Sequence, residues 1–137
     1  MNRFAALLLP LLAACEPAAT SSAPLVAVHA VQGSGDESPY TGETVRVRGV
    51  VTGDFQDDGS ADDGGLGGFF IASLEPDGDP ASSDGVFVFQ PRGGQGAVAR
   101  GDIVEVSGRV SEHFGETQIV AETITRRGTA AVEPVNL

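Results

Sequence analysis

"TVRVRGVVTGDF", residues 44–55, reads as a β-strand that changes direction partway along. Val45 and Val47 alternate with Arg46 and Arg48, the period of two that sends apolar side chains to one face. Gly49 then interrupts the alternation, where a bulge or sharp bend belongs. A second stretch repeats the design. In "DIVEVSGRVSE", residues 102–112, Val104, Val106 and Val110 alternate with Glu105, Ser107 and Arg109, and Gly108 is the second bend point.

Three more segments have strand character: "GFFIASL" (68–74), "GVFVFQ" (85–90) and "ETQIVAETIT" (116–125). Turn-forming runs such as "EPDGDPASSD" and "HFG" separate them. From Leu25 onward no stretch has a convincing helical period. Between 91 and 101, Gly93, Gly94, Gly96 and Gly101 break any helix. Five strands, two of them long with a mid-strand glycine, predict an all-β chain. The expected architecture is a five-stranded OB-fold-like Greek-key barrel. The helix often found between strands three and four is replaced by a loop. A small β-sandwich is the rival that periodicity leaves open.

The second and third strands hold Phe69, Phe70, Phe87 and Phe89, four of the chain's seven Phe. Phe69 and Ile71 share one face of strand two, and Phe70 and Ala72 the other. On strand three, Val86 and Val88 oppose Phe87 and Phe89, so both faces are apolar. One set fills the barrel. The other is either covered, by the apolar segment "LVAVHAV" (25–31), or left as a platform. OB-folds take ligands on the face of strands two and three, often by stacking bases on aromatics. The candidate ligand-binding set is therefore Phe70, Phe87 and Phe89, with Phe114 on the last hairpin. The nearest cations are Arg46, Arg48 and Arg109, with Arg92 and Arg100 in the third loop.

The 137 residues suffice for one domain with a core of its own. There is no Lys; 8 Arg face 19 acidic residues, a net charge of −11. Such a charge repels nucleic acid and anionic lipid at long range and favours solubility or cationic ligands. Nine acids fall between Asp54 and Asp84 with no basic residue among them. They include Asp57, Asp58, Asp62 and Asp63, then Asp77, Asp79 and Asp84. Carboxylate-rich loops suit a hard cation such as Ca²⁺. They equally suit turns and solubility. The spacing fits no EF-hand. "DGDPASSDG" (77–85), tied between two short strands, is the better metal candidate, through Asp77, Asp79 and Asp84. Weak Ca²⁺ binding is the most it offers.

Catalytic patterns are lacking. The two His, His29 and His113, have no obvious partner in sequence. There is no HExxH, no GxSxG, no phosphate-cradling loop with a Lys and no CxxC. The expectation is a non-catalytic chain.

The N-terminus, "MNRFAALLLPLLAACEPAATSSAP", has Arg3, then an apolar stretch from Phe4 to Leu12 too short to span a bilayer. Small residues precede Cys15, the chain's single Cys. This is the pattern of a secretory signal. Residues 1–14 resemble a bacterial lipoprotein signal peptide, after which Cys15 carries lipid and becomes the first residue; an ordinary signal cut nearby is the alternative. Residues 15–24 have the composition of a flexible tether, and the OB-fold domain is expected over 25–137. Without residues 1–14, seven Arg face nineteen acids. Glu16, rather than Asp, after the Cys implies an outer-membrane destination in double-membraned bacteria.

Three phrases carry a family resemblance: "VQGSGDESPYTGETVRVRGVVTGDFQ", "LGGFFIASLEPDGDPASSDGVFVF" and "ARGDIVEVSGRVSEHFGETQI". In that order they resemble the N-terminal OB-fold module of secreted bacterial nucleases of the endonuclease/exonuclease/phosphatase type. The resemblance spans about residues 28–135. It implies a module that presents nucleic acid to a catalytic domain or packs against one. The catalytic domain's metal-binding carboxylates, Asn and His–Asp pair have no counterpart before the final "AAVEPVNL". The expectation is an accessory module: a lipid-anchored protein in its own right, or the front piece of a split nuclease. The expected partners are the membrane, through the lipid, and single-stranded nucleic acid or a nuclease catalytic domain. The rival is an envelope protein-interaction module.

Overall fold

Alternating valines become strands because β-branched side chains fit a pleated, half-buried surface. The computed structural model describes residues 23–56, 66–91 and 96–132. One short helix, α1 (Val28–Gln32), precedes β1 (Thr44–Phe55), β2 (Gly68–Ala72), β3 (Gly85–Phe89), β4 (Asp102–His113) and β5 (Glu116–Thr129). The strands close into a barrel in the order β1-β2-β3-β5-β4. Every pairing is antiparallel except β3 with β5. A β1–β2–β3 meander and a β4–β5 hairpin folded back onto β1 make this the Greek-key arrangement of an OB-fold. A closed barrel also removes the β-sandwich.

β1 serves both halves of the barrel. Thr44–Val50 pairs with β4 and Val50–Phe55 with β2. The register with β4 runs unbroken through Gly49, which works by close approach: a Cβ there would lie 2.6 Å from the Ala72 carbonyl oxygen. The bulge comes later, between Val51 and Gly53, and leaves Thr52 unpaired. That extra residue reverses the alternation, so Val45, Val47 and Val51 face inward while Phe55 is 46% exposed. β4 and β5 have a comparable shift between Ser107 and Gly108, and a Cβ on Gly108 would press into the Val120 carbonyl oxygen.

The core explains why most Phe side chains lie outside. Eleven of its fifteen buried apolar residues are Val, joined by Phe69, Ile71, Ile119 and Ala121. A five-stranded barrel has a narrow interior, and small β-branched residues fill it from all sides. Phe69 is its one aromatic ring among the described residues.

The segment 25–31 corrects the expectation of no helix. Leu25 forms a parallel bridge with Arg46, and α1 follows for one turn. Val28 and Val31 are buried in the core, and the Gln32 side-chain amide donates to the Gly85 carbonyl at 2.6 Å. α1 therefore lies beside the start of β3, where burial of two valines overrides a local pattern too short to show a helical period. Residues 91 and 96–101, between β3 and β4, form no helix; Val98 inserts into the core from this loop.

Candidate functional site

Pairing across β2 and β3 sets Phe70 directly opposite Phe87, and Phe69 opposite Val88. Phe69 and Val88 are buried, so Phe70 and Phe87 stand on the outside. Their ring centroids are 4.9 Å apart with planes tilted at 56°. Phe55, turned outward by the β1 bulge, meets Phe70 edge-on at 5.9 Å and 88°. The result is a row of three rings across β1, β2 and β3. Gln118 on β5 lies in register with Phe87 and continues the row. Phe89, half-buried, lies opposite Gly68 on the same outer face. Sequence reasoning found Phe70, Phe87 and Phe89 but missed Phe55. Simple alternation puts Phe55 with the core valines, and only the bulge moves it.

Phe114 sits elsewhere. It occupies the β4–β5 turn with φ of 50°, is 95% exposed, and has the His113 ring 4.4 Å from its own. It does not share the row.

Arg46, Arg48 and Arg109 do not flank the row either. Arg46 and Arg48 belong to the half of β1 that pairs with β4, and Arg109 is on β4 opposite Thr44. Their surroundings are the outer face of β1–β4–β5. There Glu105, only 7% exposed, gathers three guanidinium groups. Arg48 donates to it at 2.8 Å, Arg46 approaches to 3.4 Å and Arg127 to 3.5 Å. The Arg48 hydrogen bond, helped by the charges of Arg127 and Arg46, holds the Glu105 carboxyl below its ordinary value, although burial pushes it the other way.

The acidic loop between β2 and β3 is organised by its own carboxylates. Asp77 accepts from the Asp79 N–H at 2.9 Å and from the Ser82 hydroxyl at 2.7 Å; Asp79 accepts from the Ala81 N–H at 2.9 Å. These local bonds are the ordinary turn chemistry of Asp, and they hold Asp77 below its usual value, the Ser82 hydroxyl most of all. Asp84 accepts from the Asp77 N–H at 3.3 Å. α1 brings His29 to this loop, with Nδ1 3.9 Å from Asp84. His29, Asp77 and Asp84 can present donor atoms within 4.8 Å of one another, and Asp79 is not in that group. Two carboxylates and an imidazole fall short of the six to eight oxygens that Ca²⁺ prefers, so water would have to complete the shell. His29 is the member the sequence did not offer, since it arrives from 48 positions before Asp77.

A shallow cleft of about 310 Å³ lies apart from the row, between Glu37, Thr41, Arg109 and Glu112. Its polar groups serve the turn beside it. Glu112 accepts from the Ser38 N–H, the Thr41 hydroxyl and the Thr117 hydroxyl. Cys15, Arg92 and the carboxylates Asp57, Asp58, Asp62 and Asp63 lie outside the described residues.

No known family matches the chain. No curated protein matches it either. Among solved structures, the hypothetical protein ygiW from E. coli is similar, with 17% identity and a TM-score of 0.43 over 64% of this chain and 77% of that one.

Proposed function

We propose that the chain is an exported, lipid-anchored OB-fold module, without catalytic apparatus of its own, that takes its ligand on the outer face of β1–β2–β3. The observation that carries this reading is the row Phe55–Phe70–Phe87 on the outside of a barrel whose interior is already full. Rings on a rigid sheet offer flat apolar surface to a stacking base, worth about 1–3 kcal/mol per base. The resemblance to nuclease modules supplies the ligand class, single-stranded nucleic acid, and the role of accessory to a nuclease catalytic domain. The lipid on Cys15 supplies the anchor to the outer membrane.

The positions of the arginines refine how such binding works. No basic residue lies on the outer face of β1–β2–β3 between Val50 and Phe55, Gly68 and Ala72, or Gly85 and Phe89. Stacking, not phosphate neutralisation, then provides the affinity, and the salt dependence is shallow. The test is fluorescence anisotropy with a short labelled single strand over a range of salt, with and without Ca²⁺. Weak binding that survives added salt supports the reading, and no binding at any salt overturns it.

The same lack of basic residues favours one other reading. An apolar face with exposed Leu66 beside it, in a strongly acidic chain, suits an envelope protein that brings apolar and basic side chains. A partner that protects Phe70 and Phe87 from solvent while oligonucleotide does not bind selects this alternative.

A further inference from the structure

We infer that the outer face of β1–β4–β5 docks on the anionic phosphate headgroups of the leaflet that holds the Cys15 lipid. The inference rests on the lipid anchor proposed above. Arg46, Arg48, Arg109 and Arg127 lie on this face or at its edge. The acids near them are Glu105, Glu122, exposed at the β5 bulge, and, in the cleft beside Arg109, Glu112 and Glu37. The remaining neighbours are small and polar: Thr44, Ser107, Thr123 and Thr125. Around Glu105 three guanidinium groups meet one carboxylate, a local reversal of sign in a chain of net charge −11. Glu105 matters by placement. One nearly buried carboxylate holds three guanidinium groups together, and it neutralises only one of them. The cluster is thus fixed in position before any phosphate arrives.

The chain's point of entry supplies the second argument. The Val26 N–H donates to the Arg46 carbonyl at 2.7 Å, and the Arg46 N–H donates to the Pro24 carbonyl at 2.9 Å. Pro24, where the tether ends, is therefore fastened to the backbone of the first arginine in the cluster. From Cys15 to Pro24 the chain can span at most roughly 30 Å. A lipid on Cys15 keeps this entry point, and the arginines beside it, close to the membrane surface. Anionic headgroups attract such residues within about a Debye length, roughly 8 Å at physiological salt. The Phe row, on the other half of β1, stays clear of that contact.

The test uses the full chain produced and lipidated in a bacterial envelope, with mass spectrometry confirming the lipid on Cys15. Thr125→Cys, exposed and opposite Glu105, carries a fluorophore. The labelled protein is placed in vesicles of phosphatidylcholine alone, or of equal parts phosphatidylcholine and phosphatidylglycerol, each with a headgroup-attached quencher. The expected result is several-fold stronger quenching in the anionic vesicles, reversed by salt and lost in Arg46→Gln/Arg48→Gln/Arg127→Gln. Because lipid composition and salt need no further variant, the result does not depend on whether the triple variant folds. Equal quenching in both vesicles overturns the docking and leaves the anchor standing. A chain without lipid on Cys15 overturns the anchor and the docking with it. A label that answers to an oligonucleotide and ignores vesicle charge overturns the docking in favour of a nucleic-acid face.

Discussion

Phe70 and Phe87 stand opposite each other on the outside of the barrel, 4.9 Å between ring centroids, while Phe69, one position away, fills its inside. Neighbouring Phe residues on one strand thus do different work. Phe69→Ala empties part of a packed core and is expected to cost about 3–5 kcal/mol. Phe87→Ala removes a half-exposed ring and is expected to cost roughly 1–2 kcal/mol. Urea denaturation with an unchanged m-value distinguishes the two. Equal losses contradict the division of the two faces.

Glu105 ties β1, β4 and β5 together through Arg48, Arg46 and Arg127. Its folded carboxyl titrates below the ordinary Glu value of 4.5, so it gives up its proton more readily in the fold than in the unfolded chain. The stability it contributes is full above that value and is lost as pH falls through it toward the lowered one. Glu105→Gln is expected to cost about 1–2 kcal/mol at neutral pH, its partners being partly solvated. The gap between wild type and variant should close as pH drops below 4.5. Asp77 shifts in the same direction and is present in both proteins, so their difference isolates Glu105. A gap that stays constant with pH contradicts the assignment.

Gly108 lies beside the β5 backbone at the register shift, and any Cβ meets the Val120 carbonyl and the Ile119 side chain. Gly108→Ala is expected to cost about 1–3 kcal/mol by forcing the backbones apart. Gly35→Ala, with open space around it, is expected to stay within about 0.5 kcal/mol. Thermal melts of the two variants check the contrast.

Calcium should bind the loop at Asp77 and Asp84 weakly. Millimolar Ca²⁺ is expected to raise Tm by about 1–2 °C, with the rise absent in Asp84→Asn. A titration that leaves Tm unmoved removes calcium from this loop.

The strands were legible because apolar residues recur with a two-residue period, most plainly the valines of β1 and β4. The barrel was legible because Gly49 and Gly108 sit in the middle of two long strands. What escaped was set by events beyond one strand. The extra residue at Thr52 moved Phe55 from the core face to the outer face, and an alternation pattern cannot show a bulge that forms against β2. α1 escaped because five residues hold barely one turn, and its helix is fixed by Val28 and Val31 packing into the barrel. The separation of Arg46 and Arg48 from the Phe row escaped for a third reason. They share a strand with Phe55, but the halves of that strand belong to different faces of the closed barrel.

The proposed ligand face is tested most directly by an amide NMR titration of the ¹⁵N-labelled chain with a short single strand. The expected shifts cluster at Phe55, Phe70, Phe87 and Gln118 and vanish in Phe70→Ala/Phe87→Ala. Shifts confined to the residues around Glu105, or none at saturating oligonucleotide, contradict an aromatic nucleic-acid face.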